Sequence, residues 1–216
     1  MAAKKYIQLP RGYLSQSQVA LWQRNPEQYK AIYFDGRDEL RPSNSGMTYG
    51  KVVADALEHG IQTGDLLTDA ATLLLPKYDV MDVEFRAELK TPSGWIEILA
   101  KPDSLDSVTK DFYEYKTGKT AWTQTKAQMH LQMHWYATAI YLKYGVIPKA
   151  KLIWIETEMS IFEGGDHVRP TGRVEEFEVT FQLRNILNTM ALITKVAKEI
   201  EVAWASHVTN PELLKF

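Results

Sequence analysis

The stretch from 80 to 155 constrains the fold most. Three strand-like runs, Val80 to Leu89, Trp95 to Lys101 and Asp111 to Lys116, follow one another across turn-forming residues, first Thr91-Pro92-Ser93-Gly94 and then Ser104 to Lys110. Lys126 to Tyr144 is apolar on one side and free of proline, and reads as a helix. Ala150 to Ile155 (AKLIWI) is a short continuous apolar run and reads as a buried strand. Three strands in succession predict an antiparallel meander. A chain in this order must pack helices against a sheet of mixed direction. The expected class is therefore α/β, a central mixed sheet with an antiparallel meander flanked by helices.

The flanking elements follow the same logic. Ser15, in Leu14-Ser15-Gln16-Ser17-Gln18, can cap a helix carrying Val19, Leu21 and Trp22, with Gln18 completing a capping box. Asn25-Pro26 reads as a second cap with proline at the first helical position, opening a short helix with Tyr29, Ile32 and Tyr33. Asp35 to Ser45 is a polar loop. Gly50 to Ile61 reads as a helix with Val52, Val53, Leu57 and Ile61 on its apolar side, ended by Gly60 or Gly64. A short helix from Asp69 to Leu75 stops at Pro76. Glu175 to Phe181 is a further strand, and Leu183 to Trp204 a long helix with Leu187, Met190, Ile193, Val196 and Ile200 on one side. The chain has 216 residues and no internal repeat, so residues 1–216 are expected to form a single domain.

Composition excludes several chemistries. There is no cysteine, which removes disulfides, a thiol nucleophile, an iron–sulfur cluster and a thiolate zinc site. No apolar run approaches the roughly 18–20 residues needed to span a bilayer, so no membrane partner is expected. Met1 to Tyr6 has no apolar core and is not a signal peptide, and a reducing, cytoplasmic setting fits. No Walker motif or GxGxxG is present, so no nucleotide-driven motor is expected. The net charge is −2, yet Lys116, Lys119, Lys126, Lys143, Lys149 and Lys151 lie between Tyr115 and Ile155 without a single arginine or acid. Such a tract is either a polyanion-facing surface or a set of lysines scattered over solvated faces.

The candidate chemistry lies in Lys101-Pro102-Asp103 and, ten residues on, Tyr113-Glu114-Tyr115-Lys116-Thr117-Gly118-Lys119. On one strand Glu114 and Lys116 project from the same face, and Asp103 can sit beside them across the turn. Two carboxylates with open water positions suit Mg²⁺ (or Mn²⁺), a hard cation that favours oxygen. The ion polarises a phosphate oxygen and lowers the pKa of a bound water, Lys116 orients that water or offsets charge on the phosphorane, and the Tyr115 carbonyl can be a further ligand. A surface ion pair between strands is the plainer account of the same residues.

Four segments, in order, resemble the RecB-type exonucleases of the PD-(D/E)xK nuclease superfamily, which include phage and CRISPR-adaptation relatives. Leu14-Ser15-Gln16-Ser17 with Asn25-Pro26-Glu27-Gln28-Tyr29 is similar to that family's "LSxS…CPxxY" segment. Gly50 to Glu58 (GKVVADALE) is similar to its "GxxxHExLE" helix. Pro102-Asp103 and Glu114-Tyr115-Lys116-Thr117-Gly118 resemble the "(G/P)xD…DYKTG" core, and Gln132-Met133-His134-Trp135-Tyr136 the "QxxxY" motif. The resemblance spans residues 14 to 136. It implies a restriction-endonuclease-like fold with the metal site at a sheet edge. It also implies that Asp103 and Glu114 bind metal, that Lys116 is catalytic, and that Gln132 and Tyr136, one helical turn apart, position the lysine or the DNA strand. The function so implied is a Mg²⁺-dependent DNA exonuclease acting on linear or single-stranded DNA in end resection, recombination or phage DNA processing, alongside a recombinase or single-strand annealing partner. Lys119 and Lys126 would contact substrate. The alternative is an inactive nuclease-fold protein that binds nucleic acid or serves assembly.

Departures bear on the second half of the site. The family's helix histidine falls at Ala54, which has no ligand. Glu58, four residues on, is the substitute candidate as a metal ligand, with a solvated helix acid the equal alternative. The family's first cysteine falls at Asn25, so no iron–sulfur cluster is possible. His130 and His134 are spaced as a metal pair but have no third ligand in sequence, and read as polar residues or DNA contacts. Tyr115, Trp122 and Trp135 are candidates for stacking on bases, although aromatics in so apolar a segment are more often core. Glu163-Gly164-Gly165-Asp166 reads as an exposed turn.

Overall fold

A computed structural model describes residues 3–41, 45–59, 62–81, 83–162 and 165–209. The expectations for Gly60 and Ile61, and for Glu163-Gly164, lie outside the described residues.

In chain order, β1 (Leu14–Ser15) leads into α1 (Gln16–Arg24) and α2 (Pro26–Tyr33). A single 3₁₀ turn, Asp38–Leu40, precedes α3 (Ser45–His59) and α4 (Leu66–Leu74). Then come β2 (Val80–Met81), β3 (Phe85–Thr91), β4 (Gly94–Ala100), β5 (Ser104–Leu105) and β6 (Phe112–Gly118). The chain continues through α5 (Gln124–Gln128), α6 (Leu131–Tyr144), β7 (Ala150–Phe162), β8 (Gly165–Val179) and α7 (Leu183–Thr209).

Local chemistry accounts for the helix starts. Ser15 Oγ accepts the Gln18 N–H and Asn25 Oδ1 the Gln28 N–H, with Pro26 at the first position of α2. The expected capping box is only half formed. The Gln18 side chain turns inward and accepts the Tyr29 hydroxyl at 3.2 Å, because a buried tyrosine O–H needs a partner more than an exposed helix end does.

The sheet departs from the expected meander. β3 and β4 form the predicted hairpin, Phe85 opposite Ala100 through Thr91 opposite Gly94, in a three-stranded sheet ordered β1-β4-β3. The third strand, β6, belongs to a second sheet ordered β2-β5-β6-β7-β8, where it pairs antiparallel with short β5 and parallel with β7. The class is mixed α/β with flanking helices as expected, but the meander divides after β4. Asp103 lies on the crossing segment, between Ala100 and Ser104. A chain that must leave one sheet and enter another passes through a non-paired stretch, and that stretch carries the first candidate acid.

The predicted helix from 126 to 144 is two helices. Met129 (ψ 2°) and His130 (ψ 120°) leave helical geometry. α5 is instead stapled to the end of β8: Gln124 Nε2 donates to the Glu178 carbonyl, while Gln128 donates to the Thr180 carbonyl and accepts its N–H. Tertiary bonds win over local propensity at this corner. α6 then runs through the interior with Met133, Trp135, Ala137 and Ile140 fully enclosed. Trp135 Nε1 donates to the Leu99 carbonyl at 2.8 Å and locks α6 to β4. α7 covers α6 with Ile186, Ile193, Val196 and Ile200. The sequence-based face is off by one at its start, since Leu187 is exposed and Ile186 is buried.

Candidate functional site

Glu114 and Lys116 alternate on β6 as the two-residue strand period requires, and both face the same cleft. Lys116 Nζ donates to Glu114 Oε1 at 2.5 Å and to Gln132 Oε1 at 2.7 Å, and Gln132 Nε2 donates to the Tyr136 hydroxyl at 2.8 Å. The lysine is thus aimed by an acid two residues away on its own strand and by an amide from α6. Asp103 Oδ2 accepts the Tyr115 N–H at 2.8 Å. In an extended strand a residue's N–H and C=O point to the same side, so the Tyr115 carbonyl lies on the edge of β6 that its N–H turns towards Asp103.

Burial sets the electrostatics. Glu114 is 2% exposed, and its Oε2 is buried with no N–H or O–H donor beside it; with both carboxyls ionised, the Asp103 carboxyl next to Glu114 offers only another acceptor. Desolvation, then the neighbouring Asp103, push its carboxyl up to about 8 from the ordinary 4.5, outweighing the opposing pull of Lys116. Desolvation likewise raises Asp103 against the stabilising pull of Lys116 and the Tyr115 N–H. Two carboxyls that cannot both ionise comfortably, one of them with an oxygen that meets no donor, fit a divalent cation: Asp103 and Glu114 are the side chains that would hold a hard ion, whose charge would offset their repulsion. The donor set is all oxygen, with the Tyr115 carbonyl as a third candidate, and suits Mg²⁺ or Mn²⁺. Among the described residues no group of three His, Asp or Glu side chains is placed to hold a metal.

The cleft measures about 570 Å³. Its far wall is α3, contributing Gly50, Lys51, Val53 and Ala54. Past Gln132 a second cavity, about 340 Å³, is lined by Arg11, Arg41 and Lys101, by Tyr13 and Tyr33, and by Ser15 and Ser17 at the start of α1. Gln132 borders both. Arg11 and Arg41 stack on Tyr33 with guanidinium carbons 5.2 and 5.0 Å from its ring centre.

No family profile matches the sequence, and no curated protein does. Solved structures do match in fold. A putative exonuclease from Eubacterium rectale superposes with a TM-score of 0.55 at 11% identity, over 88% of this chain and 83% of that one. The protein SSO0001 superposes with a TM-score of 0.50 at 14% identity, over 90% and 77%. A phage-related exonuclease from Haemophilus somnus 129PT gives 0.48 at 10% identity, over 92% and 86%. The chain shares its fold with the Eubacterium rectale protein.

The predicted residues divide accordingly. Asp103, Glu114, Lys116, Gln132 and Tyr136 come together as expected. For Tyr115 only the backbone takes part: its ring is buried and its hydroxyl donates to the Pro76 carbonyl at 2.6 Å, so it does not stack on bases. Trp135 is fully buried and does not stack either. Glu58 lies on α3 one turn past Ala54, and its side chain is outside the described residues. Lys119 is exposed just beyond β6. Lys126 Nζ sits 4.1 Å from the Trp122 ring centre, which His130 meets edge-on. His130 and His134 form no metal pair: His134 Nε2 bonds the Gln128 carbonyl at 2.7 Å. The His130 ring, desolvated and near Lys116 and Lys126, is held down to about 4 and stays neutral.

The lysine tract does not form one stripe. Lys151 pairs with Glu176 at 2.8 Å, and Lys143 stands at the far end of α6 from Gln132, over the Phe85 and Tyr144 rings. Of the tract only Lys116 borders either of the two cavities, and the other cations there are Lys51, Lys101, Arg11 and Arg41, which charge counting along the chain missed. The proximity of Arg11 and Ser15 to a capped helix start was the available signal for one of them.

Proposed function

We propose that the chain is a divalent-metal-dependent deoxyribonuclease of the RecB type that degrades DNA from an end. The observation that carries this reading is the convergence of Asp103, Glu114 and Lys116, with Glu114 Oε2 buried beside a second carboxyl and meeting no N–H or O–H donor. A surface ion pair would leave Glu114 solvated and its oxygens satisfied by water, which burial forbids.

Asp103, Glu114 and the Tyr115 carbonyl are the groups that would hold Mg²⁺ or Mn²⁺. When bound, such an ion lowers the pKa of water and polarises a phosphoryl oxygen. Lys116, held by Gln132, presents its ammonium to the attacking water and to the phosphate. The water oxygen bonds to phosphorus as the bond to the leaving sugar oxygen breaks. The water proton passes to solvent, and the sugar oxygen takes a proton from solvent, so one water is consumed per bond. The backbone of the bound strand runs past Gln132 into the second cavity, where Arg11, Arg41 and Lys101 meet its phosphates. No described helix is long and apolar enough to cross a membrane. A recombinase or single-strand annealing partner belongs to the same reading by family analogy.

Linear and circular DNA incubated with Mg²⁺, with Mn²⁺ and with EDTA test this reading, alongside Glu114→Gln and Lys116→Ala protein. Loss of linear DNA alone, abolished by EDTA and by each substitution, is the expected outcome. Cleavage that persists in both variants refutes the assigned site. Tight DNA binding without cleavage supports the inactive nuclease-fold alternative, for which Ala54 on the α3 wall is the favouring observation.

A further inference from the structure

The cleft has two walls, and among the described residues only the β6 wall presents acids. Facing β6, α3 presents Gly50, Lys51, Val53 and Ala54. Its seat is close: a Cβ on Gly50 would lie 3.2 Å from Thr117 Oγ1, and Tyr49, Val53 and Leu57 are buried against Tyr115, Ile153 and Ile155. Lys51 is the one charged side chain that the described part of this wall brings to the cleft, and it is exposed to solvent.

Charge matching gives Lys51 a task. The ionised Asp103 and Glu114 are cancelled by one divalent ion, and Lys116 is already shared between Glu114 and Gln132. A phosphodiester arrives with one negative charge and gains a second as the attacking oxygen closes on phosphorus. One ammonium on the β6 wall and one on the α3 wall balance that dianion from opposite sides. Resting on the nuclease reading above, we propose that the cleft binds one divalent ion per chain and that Lys51 contacts the reacting phosphate from α3 as a catalytic residue.

Mn²⁺ titration of the full chain, followed by the paramagnetic resonance of free Mn²⁺, gives the stoichiometry without any turnover. One ion per chain is expected, for wild type and for Lys51→Ala alike. Steady-state cleavage by Lys51→Ala should show kcat lower by about 10²-fold, with KM within about threefold, and Lys51→Arg should recover part of the loss. Two ions of similar affinity per chain overturn the proposal. So does an unchanged kcat in Lys51→Ala, or a loss confined to KM, which would make Lys51 a rim contact to the DNA backbone. Glu114→Gln keeps the two readings apart. If it abolishes cleavage while Lys51→Ala does not, only the role of Lys51 falls. If wild-type protein cleaves nothing, the nuclease reading falls and takes this one with it.

Discussion

On the β6 side of the cleft, Lys116 is tied to Glu114 and Gln132, Gln132 to Tyr136, and Asp103 to the Tyr115 N–H. On the α3 side the lining is a glycine, an exposed lysine, a valine and an alanine, held in place by close packing and by apolar contact. The first wall is fixed by directional bonds among buried polar groups. The second is fixed by steric fit and burial of apolar side chains. Substitutions on the first should remove chemistry while leaving the fold. Lys51 apart, substitutions on the second should move the fold and affect chemistry only through it.

The largest effect belongs to Glu114. Glu114→Gln keeps the shape but loses the charge, and cleavage should fall by about 10³-fold or more, the scale of removing a group that stabilises transition-state charge. The same variant has a signature that needs no substrate. Glu114 is raised to about 8 in the folded chain from an ordinary 4.5. Between those values the folded state keeps a proton that the unfolded state has lost. This contribution to metal-free stability is therefore fully present below about pH 4.5 and is lost as pH rises towards 8. Denaturant unfolding in EDTA should show that decline, Glu114→Gln should flatten it, and Mg²⁺ should reverse it in wild type by favouring the ionised pair. A metal-free stability that rises from pH 5 to pH 8 would mean that Glu114 is not desolvated as described.

Gln132 comes next. It touches Lys116 but no candidate metal ligand directly among the bonds described, so it acts by aiming the ammonium. Gln132→Ala should lower kcat by about 10–10²-fold, the cost of a misplaced group of this kind, with Mn²⁺ affinity unmoved. A loss of metal affinity in this variant would show that α6 helps hold the acids as well as the lysine.

Much of the β6 wall was legible from the sequence, and the reason is periodic. A strand's two-residue repeat fixes that Glu114 and Lys116 share a face, and a helix's turn fixes that Gln132 and Tyr136 do. Asp103 was legible as a neighbour but not as a crossing residue, because nothing in Trp95 to Lys101 or Asp111 to Lys116 says that β4 and β6 part into separate sheets. The corner at Met129 and His130 was hidden for a related reason: Gln124 and Gln128, which force it, are ordinary helix formers until the end of β8 arrives 54 and 52 residues later. The α3 wall and the cationic cavity were hardest to see, since only tertiary structure brings Lys51 to the cleft and gathers Lys101, Arg11 and Arg41 at the second cavity. Even α7 shows the limit, with Ile186 buried where the helical pattern alone favoured Leu187.

The contrast between the walls sharpens at Gly50. Gly50→Val places branched carbons against Thr117 Oγ1, where a Cβ alone would already sit at 3.2 Å. Overpacking of this kind costs about 1–3 kcal/mol, and should lower the unfolding midpoint together with activity. Thr117→Ala in the same chain removes the obstructing oxygen and should return most of both. A double-mutant cycle reads that coupling, and additive effects would show that α3 does not rest on β6 at this point.

The smallest effect should come from lysines that the sequence groups with the site and the structure sets apart. Lys151 is paired with Glu176, and Lys143 stands a full helix length from Gln132. Removing either by substitution to alanine should change cleavage by less than about twofold. It should also leave unchanged the slope of DNA affinity against salt, which counts phosphates neutralised. Arg11→Ala and Arg41→Ala, on the second cavity, should each lower that slope by about one unit. If Lys143→Ala and Lys151→Ala shift the slope and the two arginines do not, the strand follows the lysine-rich segment after all. The cavity beyond Gln132 would then serve something other than the DNA backbone.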